Sequence, residues 1–205
     1  MLGQIAAGAV AGALVWSFLE YALHDWYGHR PRGRNEFSRE HLSHHADTRY
    51  FSPAAKKLKL AVPVLGLAAA LAIPLAGAAA GCAFTAALAL SWLGYEVLHR
   101  RIHTHPPRGP YGRWARRHHL HHHFANPRAN HGVTSPLWDL VFGTWERPAR
   151  IVVPQRQAMP WLCDPKTGGV RPEYAADYEV RRPRGRRTGS APQATPEAAQ
   201  PVAAA

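Results

Sequence analysis

Thiols and carboxylates are scarce in this chain of 205 residues, which holds two cysteines, Cys82 and Cys163, and 13 acidic side chains against 25 Lys and Arg. Two cysteines build no disulfide framework, and the lack of any C-x2-C pair argues against a thiolate zinc site. Cys82 lies inside an apolar run and is expected to be a small buried hydrophobe. The N-terminus is not expected to be a cleavable leader. The N-terminal apolar stretch has no basic n-region and runs from Leu2 into Glu20, Tyr21 and His24 without a small-residue cleavage site, so it reads as a retained span. Nor does the formal net charge of +12 come with a recognition helix or a base-stacking motif, so nucleic acid is not an expected partner.

Two strongly apolar blocks lie behind a mean hydropathy of only −0.29. The first, Leu2 to Leu23, has the length of one helical bilayer crossing. The second, Leu58 to Leu98, would make a helix of about 60 Å, twice a hydrocarbon core of about 30 Å. It reads as two spans in a hairpin, with Pro74, Gly77 and Gly81 marking the turn region. Three crossings put all the polar segments that carry histidines on one face. Those segments hold Arg30, Arg32, Arg34, Arg39, Lys56, Lys57 and Lys59, then Arg100, Arg101, Arg113, Arg116 and Arg117, whereas the hairpin turn has no Lys or Arg. The positive-inside tendency makes that face cytoplasmic. The expected fold is an all-α integral membrane protein: about three transmembrane helices, a cytoplasmic helical His-rich metal-site cap, and a disordered C-terminal tail. The expected division is a membrane domain over 1–150, an extension over 151–180, and an Arg/Pro/Ala-rich tail over 181–205.

Histidine is what the chain has in excess. Ten of its 14 histidines form four clusters, His24 and His29; His41, His44 and His45; His99 and His103; His119, His122 and His123. Neutral imidazole is the commonest protein metal ligand. Residues three and four apart share a helix face, and an adjacent residue points about 100° away, so each H-x2-H-H cluster can feed two neighbouring metals from one helix. His24 and His29, about 140° apart on an ideal helix, are expected to straddle a helix end near Gly28 and Pro31 or to serve different metals. Glu20, Glu40 and Glu96 stand three or four residues before His24, His44 and His99. They are candidates for the carboxylates that orient metal-bound imidazoles through the second ring N–H. His131 is a further candidate, for the substrate entrance or a metal, with a plain turn residue as the simpler reading.

In order along the chain, the segments FLEYALHDWYGH (18–29), HLSHH (41–45), GYEVLHRRIH (94–103) and HLHHHFANPRANHGVTSPLWDLVFGTW (119–145) resemble the membrane fatty acid hydroxylase / sterol desaturase superfamily. The resemblance covers residues 17–147. It implies a non-haem centre of two iron ions held by the ten clustered histidines, with O2 as co-substrate. The activity implied is hydroxylation or desaturation of a lipid C–H bond. His119 is assigned over His118 because Phe124 then takes the aromatic position after the last pair; His118 and His121 become neighbours, and His105 is left out in favour of His103. Two departures stand out: three expected spans where larger relatives have four, and no recognisable haem- or flavin-binding module. Electrons are therefore expected from a separate ferredoxin- or cytochrome-like donor, docked on the Arg-rich face. The rival within the same chemistry is a carotenoid ring hydroxylase, against which GVTSPLWDLVFGT favours the fatty acid and sterol branch. The rival of another class is a non-redox metal-binding membrane protein. A transport path needs polar residues along the spans, and up to Trp92 the second block offers only Thr85 and Ser91 as hydroxyl side chains.

Overall fold

The computed structural model describes residues 1–182. The tail expected over 181–205 lies outside the described residues beyond that point. Helix α1 (Leu2–Ala22) continues without a break as a π-helical segment, Leu23–His29. Helix α2 (Glu36–Ala46) starts at Asn35, whose side chain accepts the Ser38 N–H at 2.6 Å, a normal N-cap. Helices α3 (Ala54–Ala76) and α4 (Ala78–Thr104) follow, then α5 (Gly109–Phe124) and the short α6 (Leu137–Phe142).

Three helical stretches are long and apolar enough to cross a membrane: Leu2–His29, Ala54–Ala76 and Ala78–Thr104. The last two form the expected hairpin. Its turn is Gly77 alone, at φ 80°, a left-handed conformation that glycine takes without strain. Pro74 and Gly81 lie inside α3 and α4 instead, Gly81 backing onto Ile73. Helix α1 packs lengthwise on α4 because Gly8 and Gly12 present no side chain there. A Cβ at either position would fall 2.2 Å from a backbone oxygen of α4, that of Ala80 or Phe84. Cys82 is exposed on α4, not buried as expected.

The chain is mostly helical and not all-α. Strands β1 (Ile151–Pro154) and β2 (Tyr178–Arg181) pair in parallel, Ile151 opposite Tyr178. The β-branched run Ile151-Val152-Val153 suits a pleated, half-buried surface, and Ile151, Val153 and Tyr178 bury their side chains in one core with Ile102, Leu120, Val133, Trp161 and Leu162. The Trp161 indole N–H donates to the Ile102 carbonyl at 3.1 Å, which pins this segment to the end of α4. Gln157 donates to the carbonyls of His45 (3.1 Å) and Ala46 (2.6 Å), satisfying two of the free carbonyls that end α2. Residues 148–180, uninterpretable from sequence, thus clamp the ends of two histidine-bearing helices.

Candidate metal centre

The ten clustered histidines meet in two groups of five: His24, His29, His41, His45 and His122; and His44, His99, His103, His119 and His123. Within each group the candidate ligand atoms lie within 4.8 Å of one another. Each group is two same-face pairs from two helices plus one imidazole from a third element. His41 pairs with His45 four residues on, not with His44. The adjacent pairs His44–His45 and His122–His123 each send one ring to each group, as the turn of about 100° per residue requires. The groups abut where His45 and His123 stack, centroids 4.0 Å apart and planes at 9°.

His24 and His29 belong to one group, so separate metals do not account for their spacing, and His29 is the last residue of the helical segment. The π-helical segment accounts for the spacing. Its i→i+5 bonding brings residues five apart onto neighbouring positions, and the two rings stack at 5.4 Å. Ser38, fully buried, donates to the Gly28 carbonyl (2.6 Å) and accepts from the Gly33 N–H (2.9 Å), tying the end of this segment to α2.

Backbone carbonyls orient the rings. His24 Nδ1 bonds the His131 carbonyl, His44 Nδ1 that of Tyr50 (2.7 Å), and His122 Nδ1 that of Ala129 (2.8 Å). A carbonyl only accepts, so each Nδ1 carries the proton and each Nε2 turns a bare lone pair inward. There the Nε2 atoms crowd. That of His29 is 2.8 Å from His41 Nε2 and 2.9 Å from His122 Nε2, and that of His103 is 3.0 Å from His119 Nε2. His24 Nε2, His99 Nε2 and both ring nitrogens of His123 are buried without a hydrogen-bond partner. Leaving such atoms unsatisfied costs about 1–3 kcal/mol each, and a cation at each group would satisfy His24 Nε2, His99 Nε2 and one nitrogen of His123. The donor set fits imidazole-loving metals, iron, zinc or copper. Burial, helped by the neighbouring imidazoles, keeps His41, His45, His119, His122 and His123 neutral far below the usual histidine range, and burial pushes His44 down to about 4. Neutral rings are what a metal needs.

The three carboxylates at helical spacing do not touch an imidazole, contrary to the expectation from spacing. Tertiary partners take them. Glu40 accepts from the Tyr50 hydroxyl (2.5 Å) and Lys56 (2.7 Å), Glu96 pairs with Lys57 across α3 and α4, and Glu20 accepts the N–H groups of Val133 and Thr134. Glu20 and Glu40 still act at one remove, since each grips a segment whose carbonyl holds a histidine. The carboxylate that sequence reasoning missed is Asp139, fully buried on α6, which accepts from the N–H groups of His131 and Gly132 (2.8 Å each), from Thr144, and from His118. Burial alone would raise its pKa, but those donors together hold it below the ordinary value. Asn130, at a left-handed φ of 59°, turns the chain between Ala129 and His131 so that their carbonyls reach His122 and His24. Asn is one of the few residues at home there.

His131 is 1% exposed, its ring 5.1 Å from that of His122 and its nitrogens 3.8 Å from Asp25 and 3.9 Å from Asp139, beside the first group but outside it. His118 pairs with Asp139 and His121 with Glu146, both away from the two groups, and His105 is exposed. Of the basic face, Arg116 is withdrawn: it is buried, and its guanidinium donates to the carbonyls of His105, Arg101 and Gly112.

A cavity of about 450 Å³ runs up between α1, α3 and α4. Its lower wall is apolar, with Leu19, Val64, Leu65, Leu88 and Trp92, and it ends against His24, His41, His44 and His99. Lys56, Lys57, Glu36 and Glu96 stand at its polar side.

Fold and site together define a class, helical bundles with three helices long and apolar enough to cross a membrane and ten histidines, six of them buried, gathered in two groups that could each hold a metal ion beside a largely apolar cavity. The family model for fatty acid hydroxylase matches residues 9–144, and the chain belongs to that family. It is 31% identical over 152 residues to the dihydroceramide fatty acyl 2-hydroxylase FAH1 of Arabidopsis thaliana, covering 70% of this chain and 62% of that one. It is 32% identical over 148 residues to the ceramide very long chain fatty acid hydroxylase SCS7 of Saccharomyces cerevisiae, covering 67% of this chain and 37% of that one. The fatty acid 2-hydroxylase of Homo sapiens is 26% identical over 145 residues. The solved structure of full-length scs7p, with only its hydroxylase domain visible, superposes with a TM-score of 0.57 at 30% identity, over 72% of this chain and 58% of that one. The chain thus spans about three fifths of its plant relative and under two fifths of the yeast one.

Proposed function

We propose that this chain is an integral membrane lipid hydroxylase that inserts oxygen from O2 into a fatty-acyl chain, at the carbon beside the carbonyl. The observation that carries the reading is the pair of five-imidazole groups, two members of each lining a largely apolar cavity. The family's description and the names of the relatives support a lipid substrate and the 2-position. The metals at the two groups are proposed to be iron, held by His24, His29, His41, His45 and His122 on one side and His44, His99, His103, His119 and His123 on the other. When bound, the iron pair supplies redox electrons and open positions at which O2 is activated.

The residues of the chain do the rest. The carbonyls of Tyr50, Ala129 and His131 fix the tautomer of three rings so that their lone pairs face the metals. The apolar wall excludes water and takes the acyl chain, which enters between α1, α3 and α4 from the bilayer. Because the reactive end of the cavity sits at the polar ends of the spans, a chain entering tail-down presents a carbon near its head. We place this face in the cytoplasm, where a separate ferredoxin- or cytochrome-like donor reaches the exposed basic residues, Arg113 among them. Residues 1–150 form the hydroxylase unit in this reading, with 151–180 as an extension clamped onto it.

The test is turnover of the purified, iron-loaded chain with an external reductant and 18O2, on long-chain fatty acid, ceramide and carotenoid extracts. A 2-hydroxyacyl product carrying 18O, absent with His122→Ala, is expected. An unsaturated acyl product or a hydroxylated carotenoid would contradict the assignment.

A further inference from the structure

Helix α6 carries an apolar face that no part of the described chain covers. Leu140 and Val141 are 58% and 60% exposed, and Leu137, Phe142 and Trp145 are exposed with them. Between Leu137 and Trp145 the only charged side chain is Asp139, which is fully buried and bonded inward. A soluble surface rarely leaves so many large apolar side chains together.

The position of α6 says what covers them. Trp138 donates to Ser17 at 3.0 Å and packs edge-on against Phe18 at 5.0 Å, and Phe142 stacks on Tyr21 at 5.0 Å. Ser17 lies six residues before Leu23, where the apolar block ends, about 9 Å down the helix axis. A helix lying in the membrane interface buries its apolar face by about 5–10 Å. Exposed Trp26 stands beside α6, 5.5 Å from Phe142, at the polar end of the same span, and Arg30 lies over the Trp26 ring at 5.6 Å. Amphipathic aromatic rings with a flanking cation are the usual anchors at that depth.

We infer that the exposed face of α6 is seated in the lipid bilayer, at the boundary of headgroups and acyl chains, as a membrane contact additional to the three spans. This rests on the membrane reading of those spans. It bears on the site because Asp139, on the opposite side of α6, holds the N–H groups of His131 and Gly132, and the His131 carbonyl holds His24. The bilayer therefore supports the helix that orients one of the histidines.

The full chain, in a Cys82→Ala, Cys163→Ala background and reconstituted in phosphatidylcholine nanodiscs, tests this with an environment-sensitive fluorophore on single cysteines. Leu140→Cys and Val141→Cys probe α6, Leu67→Cys the exposed side of α3, and Glu173→Cys the polar extension. The α6 labels are expected to be quenched at least twofold more by nitroxide-labelled lipid than by aqueous iodide, as Leu67→Cys is, with the reverse at Glu173→Cys. Iodide quenching at both α6 positions, with lipid quenching retained at Leu67→Cys, overturns the inference alone. Protection from both quenchers there means a protein partner or a second copy and overturns it too. Loss of lipid quenching at Leu67→Cys overturns the membrane reading itself.

Discussion

A ring nitrogen can serve a metal only while its proton sits elsewhere, and in this chain that depends on single backbone carbonyls. Asp139 is the residue on which most of this depends, because it grips two N–H groups of the loop whose carbonyl faces His24. Asp139→Asn keeps the shape and loses the charge, and groups that orient metal ligands in this way are typically worth 10–100-fold in affinity or activity. Asp139→Asn is therefore expected to lower turnover and iron retention together by about that factor, read by metal analysis after dialysis against a weak chelator. Protonation gives an independent check. His44 titrates at about 4 in the folded chain against an ordinary value of 6.5, so the unfolded state binds the extra proton first. The stability this contributes is complete above 6.5 and falls away as the pH drops towards 4. His41, His45, His119, His122 and His123 shift in the same direction. The thermal midpoint of chelator-stripped protein in detergent should fall steadily from pH 7 to pH 5; a midpoint that rises would contradict the burial of these rings. Spacing makes the ten imidazoles legible in advance, since it is a local property of helices. The carbonyls of Tyr50, Ala129 and His131 are not legible, because their direction is set by loops that Glu40 and Glu20 grip from other helices and that Asn130 bends through a left-handed turn. For the same reason Glu40 and Glu96, correctly spaced for their histidines, belong to Lys56 and Lys57.

Helices set the precision with which those residues meet. The long α1/α4 contact is the axis of the bundle, and Gly12 permits it. Gly12→Val would place a Cβ 2.2 Å from the Phe84 carbonyl oxygen, and overpacking of this kind costs about 1–3 kcal/mol or more. Thermal unfolding in detergent should show that loss, whereas Gly66→Val, where a Cβ meets nothing within 4 Å, should leave the midpoint unchanged. The apolar blocks announced the three long helices by length alone, and Gly77 among the expected markers is the turn. The π-helical segment was hidden. Periodicity reasoning assumes 3.6 residues per turn, so the spacing of five between His24 and His29 reads as a mismatch. It is a signature of a widened turn, of a kind often found at functional sites.

At the scale of the whole molecule, the polar extension closes the histidine-bearing end. Strands of four residues leave too short a pattern to read as strands, and their partners are 27 residues apart in sequence (151 to 178), so neither the ribbon nor its docking was legible. Trp161 is the centre of that docking, 5% exposed and bonded to the end of α4. Trp161→Ala is expected to cost about 3–5 kcal/mol and to loosen α2 through Gln157. A protease digestion time course should then show cleavage near residue 150 well before the spans are cut. The central claim is that two groups of five imidazoles each hold one metal ion. Metal analysis of the purified chain by mass spectrometry tests it most directly. The account predicts two iron ions per wild-type chain, and one each in His41→Ala/His45→Ala and in His99→Ala/His103→Ala, whose substitutions empty different groups. One metal or none in the wild type, unchanged by either double substitution, would contradict it.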